Sequence, residues 1–145
     1  MDSIITLPYK KEISPRYGKV LVPKIPVNIA GPKDNLTLDM LLDSGAAISL
    51  IPFSAGQEIG LTYDSLKMGT VSGIGEGHLP YIQSQIVINI QGVEFPIRVG
   101  WSLVEEVPPI LGRLDVFDHF NIEFRQVEDR TVSYTHLRAH ETRRY

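Results

Sequence analysis

The chain has 145 residues, a formal charge of −3 and no cysteine, enough for one domain with a real core and incompatible with disulfides, thiolate chemistry or Cys-ligated metals. Hydrophobic residues make up 43% and charged residues 21%, the range of ordinary globular proteins, and the acidic balance lacks the basic footprint that general nucleic-acid affinity requires. Met1 to Pro8 has neither a basic start nor an apolar core of signal-peptide length, and no apolar run is long enough to cross a bilayer, so a cytoplasmic protein without membrane contact is expected.

Ile4 to Leu7 reads as a short strand ended by Pro8, and Lys10 to Gly18 as a polar connection. Lys19 to Ala30 is rich in β-branched residues, but Pro23 and Pro26 cannot donate to a ladder and imply an edge or a break. The turn cluster Gly31-Pro32-Lys33-Asp34-Asn35 sends the chain back as a strand from Leu36 to Leu42, a hairpin that ends at Asp43. Ile48 to Pro52 is another short strand, and Ser54 to Gly60 predicts one or two helical turns with Ser54 as N-cap and Gly60 as stop.

Glycine is densest between Gly69 and Gly77. Tyr81 to Ile90 then sets Ile82, Ser84, Ile86, Ile88 and Ile90 against Gln83, Gln85 and Asn89, the period of a strand, with Val87 breaking the pattern. Gln91-Gly92 turns it into a partner strand, Val93 to Val99. Beyond Pro108-Pro109, Leu114, Phe117 and Phe120 lie three apart and predict a short amphipathic helix after Gly112. Asn121 to Arg125 is a strand with Ile122 and Phe124 on one face, and Glu128-Asp129-Arg130 a turn. Many short strands and little helix imply an all-β, barrel-like single domain.

Val132-Ser133-Tyr134-Thr135-His136-Leu137-Arg138-Ala139-His140-Glu141-Thr142 resembles one reading frame of a sequencing adapter read as protein. The domain is therefore assigned to 1–131, with 132–145 set aside as a non-native tail and the native C-terminus expected to be missing. His136 and His140 have the i, i+4 spacing of a helical metal pair, but in such a tail they carry no metal site. No metal and no cofactor is expected.

The stretch with chemistry in it is Met40-Leu41-Leu42-Asp43-Ser44-Gly45-Ala46-Ala47-Ile48. An ionised carboxylate between two apolar runs is costly unless it is paired or its disturbed proton affinity is put to use, and the second reading is favoured here. Asp-Ser-Gly is also an ordinary turn tripeptide. Its setting separates the two readings. Downstream come a glycine-rich segment, Ser72-Gly73-Ile74-Gly75-Glu76-Gly77, and then Ile110-Leu111-Gly112-Arg113, apolar-apolar-Gly again. A phosphate cradle would need a strand-loop-helix setting and a lysine, which the glycine-rich segment lacks.

These three motifs in this order, within Ile25 to Phe124, resemble the retropepsin-like aspartic proteases, the single-domain relatives of pepsin. The resemblance implies an acid-protease barrel with a flap hairpin and one short C-terminal helix. It implies that Asp43 is the catalytic acid, supported by Ser44, Gly45 and Ala46. Gly73, Ile74 and Gly75 would form the flap over the substrate, and Ile110, Leu111, Gly112 and Arg113 would pack beneath the acid.

The implied reaction is peptide hydrolysis by two carboxylates that share one proton around a water. The chain holds one such motif: Asp64-Ser65-Leu66 lacks the glycine, and Asp115, Asp118 and Asp129 lack the Ser/Thr-Gly sequel. A homodimer with the site on its two-fold axis is therefore expected, acting on a peptide or protein substrate. One departure stands out. Retroviral members pair the matching Arg with an Asp just after the Ala, where this chain has Ala47, leaving Asp115, Asp118 or a residue across the dimer as the partner of Arg113. The alternatives are the same fold acting as a dimerisation or peptide-binding module without turnover, and an unrelated small barrel in which Asp43 only caps a turn. Trp101 reads as core or pocket wall, and His78 and His119 as surface or half-buried residues.

Overall fold

In the computed structural model, which describes residues 4–72 and 77–134, strands dominate as expected. β4 (Lys24–Ala30) and β5 (Asn35–Leu42) form the hairpin expected across the glycine-proline turn. β8 (His78–Ile90) and β9 (Val93–Ser102) form a longer one. It turns at Gln91 and Gly92, whose φ values of 51° and 88° are the left-handed pair that a tight hairpin loop needs. Between these hairpins lie β6 (Ser49–Ile51) and β10 (Ile110–Leu111).

Six strands close on themselves in the order β4-β5-β10-β6-β9-β8, with β8 returning to β4 through Asn28, Ile29 and Ala30. Closure removes the exposed edges that an open sheet would carry. Alternation does the rest: Ile82, Ile86, Ile88 and Ile90 of β8 point inward and are buried, beside Ile97 and Val99 of β9. Val87, the break in the sequence pattern, is 37% exposed between two buried isoleucines. Pro26 lies where β4 is flanked by β5 alone, because β8 joins only from Asn28 onward, as the edge reading of its ring requires. Over His78–Ile82, β8 pairs with β7 (Met68–Ser72) on the side where β4 lies further along, and its first three residues form an arm that runs past the β9 ladder.

A second sheet has the order β1-β12-β11, with β12 (Arg130–Tyr134) between β1 (Ile4–Pro8) and β11 (Asn121–Arg125). Ile5, Leu7 and Ile122 join it to the main core. Residues 132–134, beyond the boundary drawn from the sequence at 131, lie in β12, and Val132 and Ser133 are buried.

Three local expectations are revised. Lys10 to Gly18, read as a connection, belongs to a hairpin of β2 (Lys10–Ser14) and β3 (Gly18–Val22). It lies on the surface with no buried face, so no apolar alternation marks it; ion pairs from Lys10 to Asp39 and from Lys24 to Glu12 tie it to the barrel. α1 (Phe53–Ile59) ends at Gly60 as predicted, with φ 92°, but its N-cap is Pro52 rather than Ser54. The Ser54 N–H and hydroxyl instead donate to the Glu105 carboxylate, at 2.8 and 2.9 Å. After Gly112 the chain makes one irregular turn, Arg113–Phe117, in place of a regular helix: Leu114 is extended (ψ 125°) and Asp115 left-handed (φ 67°). Of the three spaced residues only Phe120 is buried; Leu114 and Phe117 are half-buried, and Val116, outside that spacing, takes the core position.

Trp101, 3% exposed, joins α1 to the barrel. Its Nε1–H donates to the Phe53 carbonyl at 2.9 Å and its ring stacks on Phe53, with centroids 5.4 Å apart. A Cβ on Gly56 would lie 2.2 Å from Nε1, so the helix can sit this close only because that residue is glycine. No helix among the described residues is long and apolar enough to cross a membrane. Trp101→Ala is expected to lower the unfolding free energy by about 3–5 kcal/mol, measured by urea titration. A loss below about 1 kcal/mol would show that the helix does not depend on the ring.

Candidate active site

Asp43 stands where β5 runs out. Met40 and Leu42, just before it, are 0% and 4% exposed, while Asp43 itself is half-buried. The carboxylate therefore emerges from the core at a surface and stays in contact with water, which avoids the full desolvation cost. Its backbone is held below, since the Asp43 N–H donates to the Leu111 carbonyl at 3.0 Å and its own carbonyl accepts from the Ala46 N–H at 3.1 Å. Oδ1 accepts the Gly45 N–H at 2.9 Å, and among the described residues Oδ2 receives no hydrogen bond. A Cβ on Gly45 would lie 3.2 Å from Oδ1, so glycine suits this tight turn.

The floor of the loop is the segment Ile110-Leu111-Gly112-Arg113. β10 runs parallel to β5 (Ile110 opposite Leu41, Leu111 opposite Leu42) and antiparallel to β6 (Ile110 opposite Leu50). Gly112 then passes under the loop, its N–H donating to the fully buried Ser49 hydroxyl at 3.0 Å. A Cβ there would come 2.4 Å from the Ile48 carbonyl oxygen and 2.9 Å from that of Ala46. Both contacts are with backbone, so no side-chain movement relieves them. The Arg113 and Leu114 N–H groups complete the seam by donating to the Ala46 and Ala47 carbonyls, at 2.9 and 3.0 Å.

The open question about Arg113 has a geometric answer. Its Nη1 donates to the Ser44 carbonyl at 2.7 Å, and among the described residues it has no carboxylate partner. Asp115 faces Arg98 instead, accepting from its N–H, Nε and Nη2 at 2.7, 3.0 and 2.9 Å. The Arg98 guanidinium holds the Asp115 carboxyl below the usual carboxylate range. Asp118 accepts the Asp115 N–H at 3.2 Å. Neither aspartate is therefore a substitute partner for Arg113.

Above Asp43 opens a cleft of about 570 Å³. Its near wall is the loop from Asp43 to Ile48 with Leu50 and Ile110, and its far wall is Thr70, Val71 and Ser72 of β7 with Tyr81 of β8. Asp43 is the one carboxylate among the described lining residues. Gly73, Ile74 and Gly75, expected as the flap, lie outside the described residues. Ser44 is exposed, and Gly45 and Ala46 line the cleft. Arg113, Gly112 and Leu111 lie beneath it and do not line it.

The far wall was not legible beforehand. Tyr81 reads in the sequence as one more strand residue, yet its ring covers Gly69, where a Cβ would lie 2.7 Å from the ring, and it turns toward the cleft. The signal was the pairing of an aromatic with a glycine across a ladder, and it needs the register (Gly69 opposite Tyr81) to be seen. His119 stacks on Phe95 with centroids 3.9 Å apart and, like the exposed His78, does not line the cleft.

No family model and no curated protein matches the chain. Solved structures do. A retropepsin-like aspartic protease from Rickettsia conorii is 15% identical, with a TM-score of 0.58 over 92% of each chain. The EIAV protease, solved with an inhibitor, is 22% identical, with a TM-score of 0.51 over 63% of this chain and 82% of that one. The likeness is one of fold: this chain has the barrel of the retropepsin-like aspartic proteases.

Two tests follow from the seam and the clamp. Gly112→Ala is expected to lower the melting temperature by several degrees, because Ile48 and Ala46 must be pushed off the floor; an unchanged melting temperature would show that the contact is not tight. Asp115 has a lowered folded-state pKa, so its contribution is fully present above the unfolded value near 3.8 and is lost as pH falls through the folded one. Asp115→Asn should thus be less stable than wild type at pH 7, with the gap closing in acid below about pH 4. A gap that is constant with pH would refute the charged clamp.

Proposed function

We propose that the chain is an aspartic endopeptidase whose active site is completed by a second copy, each subunit contributing Asp43. The observation that carries this reading is Asp43, the single carboxylate among the described residues that line a cleft of peptide-binding size, seated on the Ile110-Leu111-Gly112-Arg113 seam of a retropepsin-like barrel. Two carboxylates are needed for the chemistry and one chain supplies one, so the two-fold axis would pass beside Asp43.

Two such groups brought together cannot both ionise readily, and they hold one proton between them. The ionised Asp43 takes a proton from the water between them as that water attacks the scissile carbonyl carbon. The protonated Asp43 of the other copy hydrogen-bonds the carbonyl oxygen as it gains charge and hands over its proton, so that a tetrahedral diol forms. The tetrahedral diol then breaks its C–N bond to give a carboxylic acid and an amine. The proton taken from water passes from the first Asp43 to the leaving amine, and the second Asp43 takes one back from a diol hydroxyl. Thr70, Val71 and Ser72 supply strand backbone along the cleft, against which an extended peptide can lie. Gly73, Ile74 and Gly75 would close over it.

A second reading has one observation in its favour. The Gly45 N–H bond to Asp43 Oδ1 at 2.9 Å is the bond a turn-capping aspartate makes. Asp43→Asn separates the two, since it keeps the side-chain oxygen that accepts this bond and removes the ionisable group. Cleavage of a peptide library at acidic to neutral pH is expected to fall by about 10²- to 10⁴-fold in the variant with its melting temperature held. Equal cleavage by Asp43→Asn and wild type would sink the proposal. Peptide binding by wild type without any cleavage would favour the non-catalytic peptide-binding module.

A further inference from the structure

Beyond the cleft that holds Asp43 lie a small pocket of about 20 Å³ and then a groove, each sharing lining residues with its neighbour. Tyr81 and Ile48 of the cleft also line the pocket, with Gln83, Arg98 and Gly100. Gln83 and Arg98 in turn line the groove of about 340 Å³, which Lys67, Ser84 and Gln85 help to form. The register explains why the three share residues. Tyr81, Gln83 and Gln85 alternate onto one face of β8, and across the ladder Gln83 meets Gly100 and Gln85 meets Arg98. Glycine at 100 lets the Tyr81 ring pack on bare backbone, for a Cβ there would lie 3.1 Å from it.

The chemistry of the groove runs against that of the chain. Asp and Glu outnumber Lys and Arg by 17 to 14 overall, yet the groove is lined by two cations and no acid among the described residues. Arg98 is committed to Asp115. Lys67 has no carboxylate partner among the described residues. The side-chain amides of Gln83 and Gln85 are further donors.

We infer that the substrate cleft extends along β8 into this groove, where Lys67, flanked by Gln83 and Gln85, selects an acidic side chain of the bound peptide away from the scissile bond. The inference rests on the peptide-cleaving reading for the identity of its occupant. From Tyr81 to Gln85 the strand advances about 13 Å, so the acidic residue falls about four extended positions from the one beside Tyr81.

The test is a set of labelled peptides that share one core and carry Asp, Ala or Lys at each distal position. Binding to the full chain is read by fluorescence anisotropy in the Asp43→Asn background, which prevents turnover, with and without Lys67→Glu or Lys67→Arg. At one distal position the Asp peptide is expected to bind about two- to fivefold tighter than the Ala peptide. The preference should shrink at high salt, persist in Lys67→Arg and invert in Lys67→Glu. Equal binding across the set, or a preference that Lys67→Glu leaves unchanged, would overturn the inference. Peptides cut by wild type with no distal preference would remove the groove and leave the protease. Peptides bound with the preference but never cut would do the reverse, and no binding of any peptide would remove both.

Discussion

The contact between the backbone of Gly112 and the carbonyls of Ala46 and Ile48 is the constraint on which the rest of the structure depends. β10 is two residues long and has little cohesion of its own. It holds its place because it is inserted between β5 and β6, sharing a ladder with each, and so supplies the link that closes the barrel. The same insertion lifts the loop from Asp43 to Ile48 onto a floor of backbone, tied down by bonds from the Asp43, Gly112, Arg113 and Leu114 N–H groups. Backbone against backbone is stiff, because no rotamer change relaxes it. A carboxylate mounted on such a floor is held in place before any partner arrives, as chemistry that depends on position requires.

Within the chain, Arg113 bonds to the Asp43 loop rather than to the carboxylate that its motif leads one to expect. With Ala47 in the place of an acid, the guanidinium reaches up to the Ser44 carbonyl, and a charge-assisted bond to the loop replaces an ion pair beside it. Asp115 is drawn away in the other direction by Arg98, and this pull accompanies the break of the expected helix at a left-handed residue. The two arginines thus hold the two sides of the seam, Arg113 on the loop above and Arg98 on the turn beyond. In the proposed protease the cleft between the loop and the β7–β8 arm is one half of a symmetric site. Among the described residues that half carries one acid, because one copy of the motif makes one wall.

Residues whose meaning is local could be read from the chain. Alternating isoleucines over Ile82 to Ile90 imply a half-buried strand, Gln91-Gly92 a tight turn, and Gly60 a helix stop, because each depends on neighbours a few positions away. The Asp43-Ser44-Gly45 turn was legible for the same reason, and the ordered motifs around it led to the fold. Where a distant residue decides, the reading went astray. Ser54 reads as an N-cap until Glu105 is brought beside it, and Leu114 to Phe120 reads as a helix until Arg98 takes Asp115. The β2–β3 hairpin stayed hidden because neither of its faces is buried, β2 shows no apolar alternation, and ion pairs tie it to the barrel.

The sequence by itself determined an all-β chain and the turn that carries Asp43, since hydrophobic period and turn chemistry are written into single residues and short spacings. The need for bare backbone at Gly112 appears only where it meets Ile48 and Ala46. Only the tertiary structure decided what stands opposite Asp43: Thr70, Val71, Ser72 and Tyr81 on the far wall, and Lys67, Gln83 and Gln85 along the groove beyond. The physical reason is that the register between β7, β8 and β9 chooses which of two alternating faces meets the cleft. A shift of one residue would turn the side chains of Tyr81, Gln83 and Gln85 to the other face.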